Sequence, residues 1–133
     1  MDASRAVRLR RNALPLLSAG RAAVGTSMLA RPTMLAKSAG VDSTTAARLS
    51  WLTRMLGARE LALGAGTLLA LRRGRNVEEW ALAQAFSDAV DAAAFGGAVA
   101  RGNVRRVTGT AIAAVALAGA ATGVTAWLDL RDA

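Results

Sequence analysis

Residues 107 to 128 run from Val107 to Leu128 without a charged side chain, between Arg106 and Asp129. At about 1.5 Å of rise per residue, a helix of this length matches the roughly 30 Å hydrocarbon core of a bilayer. Such a run folds as a helix whose apolar surface needs lipid or protein around it. Inside it, Gly119 and Gly123 form a Gly-x-x-x-Gly spacing that lets a second helix come close. In a chain rich in Ala and Gly that spacing also arises by chance. It therefore reads first as ordinary packing and second as an oligomer or partner surface.

The rest of the chain holds three further apolar stretches, each interrupted by charge. The first is predicted as a helix over about 13–30, ending at Arg31-Pro32 because the residue before proline disfavours the helical region. It carries Arg21 near its middle, with Gly20 and Gly25 close by. A loop with short helical character follows to about Val41, and Asp42-Ser43 supply a cap. The second helix is predicted over about 44–72. Its first turns, with Arg48 and Arg54 beside Trp51 and Leu52, have the composition of a membrane interface. The turn Arg72 to Asn76 leads to a third helix over about 77–99, which opens on Glu78-Glu79 where the helix dipole favours acids. The fourth helix is the uncharged run, 107–128.

The chain of 133 residues is thus expected to be one integral membrane domain, an all-α bundle of four transmembrane helices with short loops and a basic N-terminal lead. Seventeen Lys and Arg against nine Asp and Glu give a net charge of +8, and where the charge falls decides what it means. The basic residues cluster at the ends of apolar runs: Arg5, Arg8, Arg10 and Arg11, then Arg72, Arg73 and Arg75, then Arg101, Arg105 and Arg106. That is the flanking pattern of membrane helices. A nucleic-acid module would show a basic face with aromatic or polar readers, and the aromatics here are few, so no nucleic-acid partner is expected. The basic lead is read as a cytoplasmic anchor rather than a cleaved secretory signal, since the apolar core before Arg21 is short and no convincing cleavage site follows. With an even number of spans, both termini are placed in the cytoplasm, at the plasma (inner) membrane.

The charges inside the apolar stretches are the candidate site. Gly57 to Gly66 contains Arg59 and Glu60 side by side in an apolar run, and the third helix carries Asp88 and Asp91. On an insertion scale each mid-helix Arg or Asp costs about 2.5–3.5 kcal/mol, while Leu, Ile, Phe or Val returns about 0.3–0.6. The third helix therefore needs partners to insert. Asp88 and Asp91 share a face at i and i+3, and Gln84 one turn earlier extends the polar stripe. Arg59 and Glu60 point about 100° apart, which predicts a network: Arg59 to Asp88 or Asp91, and Glu60 to Arg21. Across Arg21, Arg59, Glu60, Asp88 and Asp91 the acids exceed the bases by one. The odd carboxylate needs a proton, a loop arginine or a cation.

Two readings of this set stay open: a structural network that fixes helix register, and a polar path or pocket, since ionisable groups within a membrane are a functional hypothesis by default. The chain has no cysteine and no histidine. That removes thiolate and iron–sulfur chemistry and the commonest metal ligand and acid–base group. Two carboxylates at i, i+3 beside arginines suit no metal well. Ser87 precedes Asp88, but there is no histidine base and no nucleophile elbow. No catalytic residue, metal site or cofactor is expected. Gly25, Gly64, Gly119 and Gly123 are the expected helix-packing positions.

At these residues the chain resembles an uncharacterised family of small four-helix integral membrane proteins common in actinobacteria. Gly20, Arg21, Gly25, Arg31 and Pro32 match its first-helix pattern. Arg54, Gly57, Arg59, Glu60 and Gly64 match its second, and the pair Asp88 and Asp91 its third. The resemblance covers roughly residues 14 to 100. It implies a membrane location and a helical bundle, and no activity, cofactor or partner.

The expected function is a non-enzymatic, multi-pass membrane protein that serves as an accessory or stabilising subunit of a larger cell-envelope or transport complex. Membrane lipid, and a membrane protein or a second copy of the chain, would be its partners. The competing expectation is a small transporter or a lipid- or solute-binding bundle built on the charged set. A soluble helical bundle is the third possibility, and the uncharged run opposes it.

Overall fold

A computed structural model of the chain describes residues 3–38 and 40–131; the side chains of residues 3–12, which include the four arginines of the basic lead, lie outside the described ones. The described residues form six helices and no strand: α1 (Ala3–Ala30), α2 (Pro32–Ser38), α3 (Ser43–Arg48), α4 (Ser50–Arg73), α5 (Val77–Ala100) and α6 (Arg106–Arg131).

Where the sequence predicts one helix from about 44 to 72, there are two. The chain turns at Leu49, whose dihedrals of φ −90° and ψ 3° end α3 and start α4. The stretch after Pro32, predicted as a loop with short helical character, holds the short helix α2. The first helix also reaches back over the basic lead, with Pro15 inside it.

Asp42 caps α3, accepting hydrogen bonds from the Thr44 and Thr45 amides at 3.0 Å each. Hydrogen bonds from the Thr45 side chain, and then from its backbone, hold the Asp42 carboxyl below the ordinary value of 3.8. A depressed carboxylate contributes stability that is full above its unfolded pKa and fades as the pH falls through the folded one. Acidification below 3.8 is therefore expected to lower the protection of the Thr44 and Thr45 amides relative to their intrinsic exchange rates, and Asp42→Ala to do the same at neutral pH. Hydrogen exchange read by NMR checks both.

The long helices pack as two close antiparallel pairs, α1 with α4 and α5 with α6, and contact between the pairs is sparser. Glycines make each pair close. A Cβ added at Gly25 would lie 2.6 Å from the Gly57 carbonyl oxygen, and one at Gly64 would lie 2.6 Å from the Ala22 amide nitrogen. Between α5 and α6, Gly119 lies against Asp88 and Gly123 against Ala81 and Ala85. The Gly-x-x-x-Gly glycines of α6 thus pack against α5 within the chain. Gly74, at φ 61°, closes α4 in the left-handed conformation, and Asn76 takes the same region at φ 58° before α5.

Small and polar side chains lie inside, and many large apolar ones lie outside. Ser18, Thr67, Gln84, Ser87 and Asp88 are buried with Ala81 and Ala85, whereas Leu16, Phe86, Val107 and Val115 are each more than 70% exposed. Leu14, Ala70, Val77 and Ala81 form one small apolar cluster, joined by Leu71, Trp80, Ala126 and Trp127.

The expectation of four transmembrane helices does not survive. Among the described residues only α6 is long and apolar enough to cross a membrane. Its most apolar stretch is just 17% buried, so it is not the core helix of the fold. The reason lies in side-chain chemistry. The apolar content of α1, α4 and α5, led by alanine in α1 and α5 and by leucine in α4, offsets charge only in part. Arg21 in α1, Arg54, Arg59 and Glu60 in α4, and Glu78, Glu79, Asp88 and Asp91 in α5 outweigh it. The multi-pass topology, and with it the placement of both termini on one side, loses its basis.

Candidate functional site

The five charged residues singled out from the sequence meet at one place, where α1, α4 and α5 converge. Arg21 on α1 pairs with Asp88 on α5 through Nη2 and with Glu60 on α4 through Nη1, at 3.2 Å from Oε2. Arg59 on α4 clasps Asp91 on α5 with both terminal nitrogens, at 3.1 Å to Oδ1 and 2.6 Å to Oδ2. Arg59 also donates to its neighbour Glu60, from Nε at 3.2 Å and from Nη2 at 3.0 Å.

The result is an alternating chain, Asp88 to Arg21 to Glu60 to Arg59 to Asp91. Both ends rest on α5, one turn apart. No carboxylate is left without a guanidinium: the excess acid is accommodated because Glu60 is shared by both arginines. The sequence reading separates Arg59 from Glu60 by their 100° of helix rotation. The long guanidinium stem closes that gap, which backbone geometry alone does not anticipate.

Solvent access is graded along the chain. The side chains of Arg21, Asp88 and Glu60 are 10–15% exposed, while Arg59 and Asp91 are 35% and 26% exposed. The inner half is therefore desolvated and strongly coupled, and the outer half is screened.

A second polar group lies beside the ion chain, about one helical turn away along α5. Gln84 donates through Nε2 to Ser18 Oγ on α1 at 3.0 Å and to Thr67 Oγ1 on α4. Thr67 in turn donates to the Leu63 carbonyl at 2.8 Å. Ser18 and Thr67 are not among the residues picked from the sequence, although a signal exists. Ser18 precedes Arg21 by three positions and Thr67 follows Glu60 by seven, so each shares the helix face of its charged neighbour. Thr67→Val, which keeps the shape and removes the hydroxyl, is expected to lower unfolding stability by about 1 kcal/mol. Thermal denaturation beside the parent chain checks it.

Ser87 completes the stripe. Its Oγ is buried and has no hydrogen-bond partner. It lies between Gln84 and Asp91 in sequence, at i+3 and i−4, on the same face of α5.

Of the predicted packing glycines, Gly25 and Gly64 join α1 to α4, and Gly119 and Gly123 join α6 to α5. Gly119 lies directly against the Asp88 carboxylate, so α6 seals the inner end of the ion chain with backbone and no side chain. Trp80 lies over Gly66 and links α4 to α5.

Among the described residues no group of His, Cys, Asp and Glu is placed to hold a metal ion. Arginine nitrogens contact both oxygens of Glu60 and of Asp91, and Oδ1 of Asp88. The two grooves of note are mainly apolar, and none of the five residues of the ion chain lines them: one is lined by Pro15, Leu68, Leu71 and Arg72, the other by residues of α1 and α2.

Fold and site together define a class: an all-α protein with one helix able to cross a membrane and a buried ion chain tying two helix pairs together. Comparison with protein-family models, with curated proteins and with solved structures finds no match.

Proposed function

We propose that this chain is a non-catalytic accessory or stabilising subunit of a larger cell-envelope or transport complex at the plasma membrane, with α6 as its membrane-crossing helix. The observation that carries this reading is the inverted distribution of side chains. Large apolar residues cover the outside while serine, threonine, glutamine and paired charges fill the inside. An apolar exterior of this kind needs lipid or a partner protein around it. The ion chain supports a structural role, since its three carboxylates and two guanidiniums are paired with one another across α1, α4 and α5. The likeness to the small actinobacterial membrane proteins fits the same reading and adds no activity.

Affinity purification of the tagged full-length chain from native membranes in mild detergent, followed by mass spectrometry, tests it. A membrane-protein complex is expected to come down with the chain at constant stoichiometry. Purification of the chain alone would sink the proposal.

One observation favours a second reading, a small transporter or a lipid- or solute-binding bundle. The unpartnered Ser87 Oγ sits on the stripe between the buried Gln84 cluster and the half-open Arg59–Asp91 pair. In that case Asp91→Asn and Arg59→Gln would abolish transport or binding while leaving the amount and thermal stability of the protein intact. The accessory-subunit reading expects stability to fall with each.

A further inference from the structure

The end of the molecule formed by α2, α3 and the start of α4 carries exposed apolar and basic side chains together. Trp51 and Met55 are 60% and 62% exposed, and Met34, Leu35, Leu49 and Leu52 are also turned outward. Basic side chains stand among them: Arg31, Lys37, Arg48 and Arg54 are all exposed. The single acid of this region, Asp42, is engaged in capping α3.

The loop between α5 and α6 joins the same end. The Arg105 side chain lies over Gly40, and Arg101 and Arg106 are exposed on either side of it. Two short helices with outward apolar residues, an exposed tryptophan and a basic surround have the composition of an element that lies in a bilayer interface.

A groove of about 270 Å³ opens on this end between α1 and α2. Val24, Met28, Met34 and Leu35 line it, and Arg31 stands on its wall. Its lining is almost wholly apolar, which suits a hydrocarbon segment, and the one charge is a guanidinium that fits a phosphate bidentately.

We propose that this end docks on the headgroup layer of an anionic phospholipid bilayer, with an acyl-chain segment in the α1–α2 groove and the lipid phosphate on Arg31. The charge complementarity selects the occupant: a zwitterionic surface has no net charge to draw so many cations, whereas an anionic leaflet attracts each of them. The proposal rests on the membrane reading of α6 and specifies which lipid the chain meets and through which face.

Because the chain contains no cysteine, single labels can be placed at will. Full-length protein carrying an environment-sensitive dye at Ala47→Cys on α3, or at Val115→Cys on α6, is reconstituted into vesicles of phosphatidylcholine alone or mixed with phosphatidylglycerol. An aqueous quencher then reads accessibility.

The Ala47 label is expected to become several-fold less accessible in the anionic vesicles than in the neutral ones. High salt, or the combined substitution Arg31→Gln, Lys37→Gln and Arg48→Gln, should reverse that change. These side chains are exposed, so circular dichroism should show the helices intact. The Val115 label should be protected in both vesicle types.

Equal accessibility at Ala47 in the two vesicles, with Val115 protected, overturns the anionic-lipid proposal and leaves the membrane reading standing. An accessible Val115 label in both overturns the membrane reading and this proposal with it. Protection at Ala47 that persists after the charges are removed would also overturn it, since apolar burial alone would then account for the contact.

Discussion

Asp88→Ala is expected to destabilise the fold by about 3–5 kcal/mol, the usual range when one partner of a buried ion pair is removed. The guanidinium of Arg21 is 12% exposed and would keep only Glu60, which Arg59 already shares. The loss comes mainly from the charge left behind and less from the bond itself. Arg21→Ala in the same chain should therefore recover part of it, and the double variant should lose less than the sum of the singles. Chemical denaturation of the four proteins closes the cycle. A loss for Asp88→Ala of under about 1 kcal/mol, the range of exposed pairs, would mean that water reaches Arg21 and that the pair is not buried.

Gly64→Ala is the second large effect. The added methyl would press on the backbone of α1, 2.6 Å from the Ala22 nitrogen, and backbone cannot turn aside as a side chain can. Overpacking of this kind costs about 1–3 kcal/mol and moves the helices apart. Gly25→Ala should behave alike, because its methyl would meet α4 near the Gly57 carbonyl.

Gly20 is the internal control. It is helical and exposed, and a Cβ there meets nothing within 4 Å. Gly20→Ala should raise stability by about 0.5–1 kcal/mol through the helix propensity of alanine alone. The melting temperatures of the three variants separate close packing from propensity. A shift of the same sign in all three would refute the close α1–α4 contact.

Much of the site can be read from the chain, because a charge in an apolar run has few ways to be tolerated. Arg21, Arg59, Glu60, Asp88 and Asp91 stand out by that rule, and the structure brings all five together. Spacing also places Gln84, Asp88 and Asp91 on one stripe. The hydroxyls of Ser18 and Thr67 are harder to see. Serine and threonine are common in any helix, and only the arrival of Gln84 from another helix distinguishes these two.

The corrections have one origin. Several charges in one helix outweigh its apolar residues, whether these are mainly leucine as in α4 or mainly alanine as in α5. Counting apolar residues therefore yields four spans, and weighing them against the charges leaves α6. The break at Leu49 was equally hidden, since no proline or glycine marks it; the capping by Asp42 starts α3, and the contact of α2 with α3 and α4 holds the bend.

Helix content, the uncharged run from Val107 to Leu128 and the identity of the charged set follow from the sequence alone, because periodicity, length and desolvation act on each segment by itself. Pairing is a different kind of quantity. That α1 seats on α4 and α5 on α6, that Gly119 closes over Asp88 and that Glu60 is shared between two arginines depend on which surfaces fit at close range. Those contacts arise between residues far apart in the chain, so only the tertiary structure decides them.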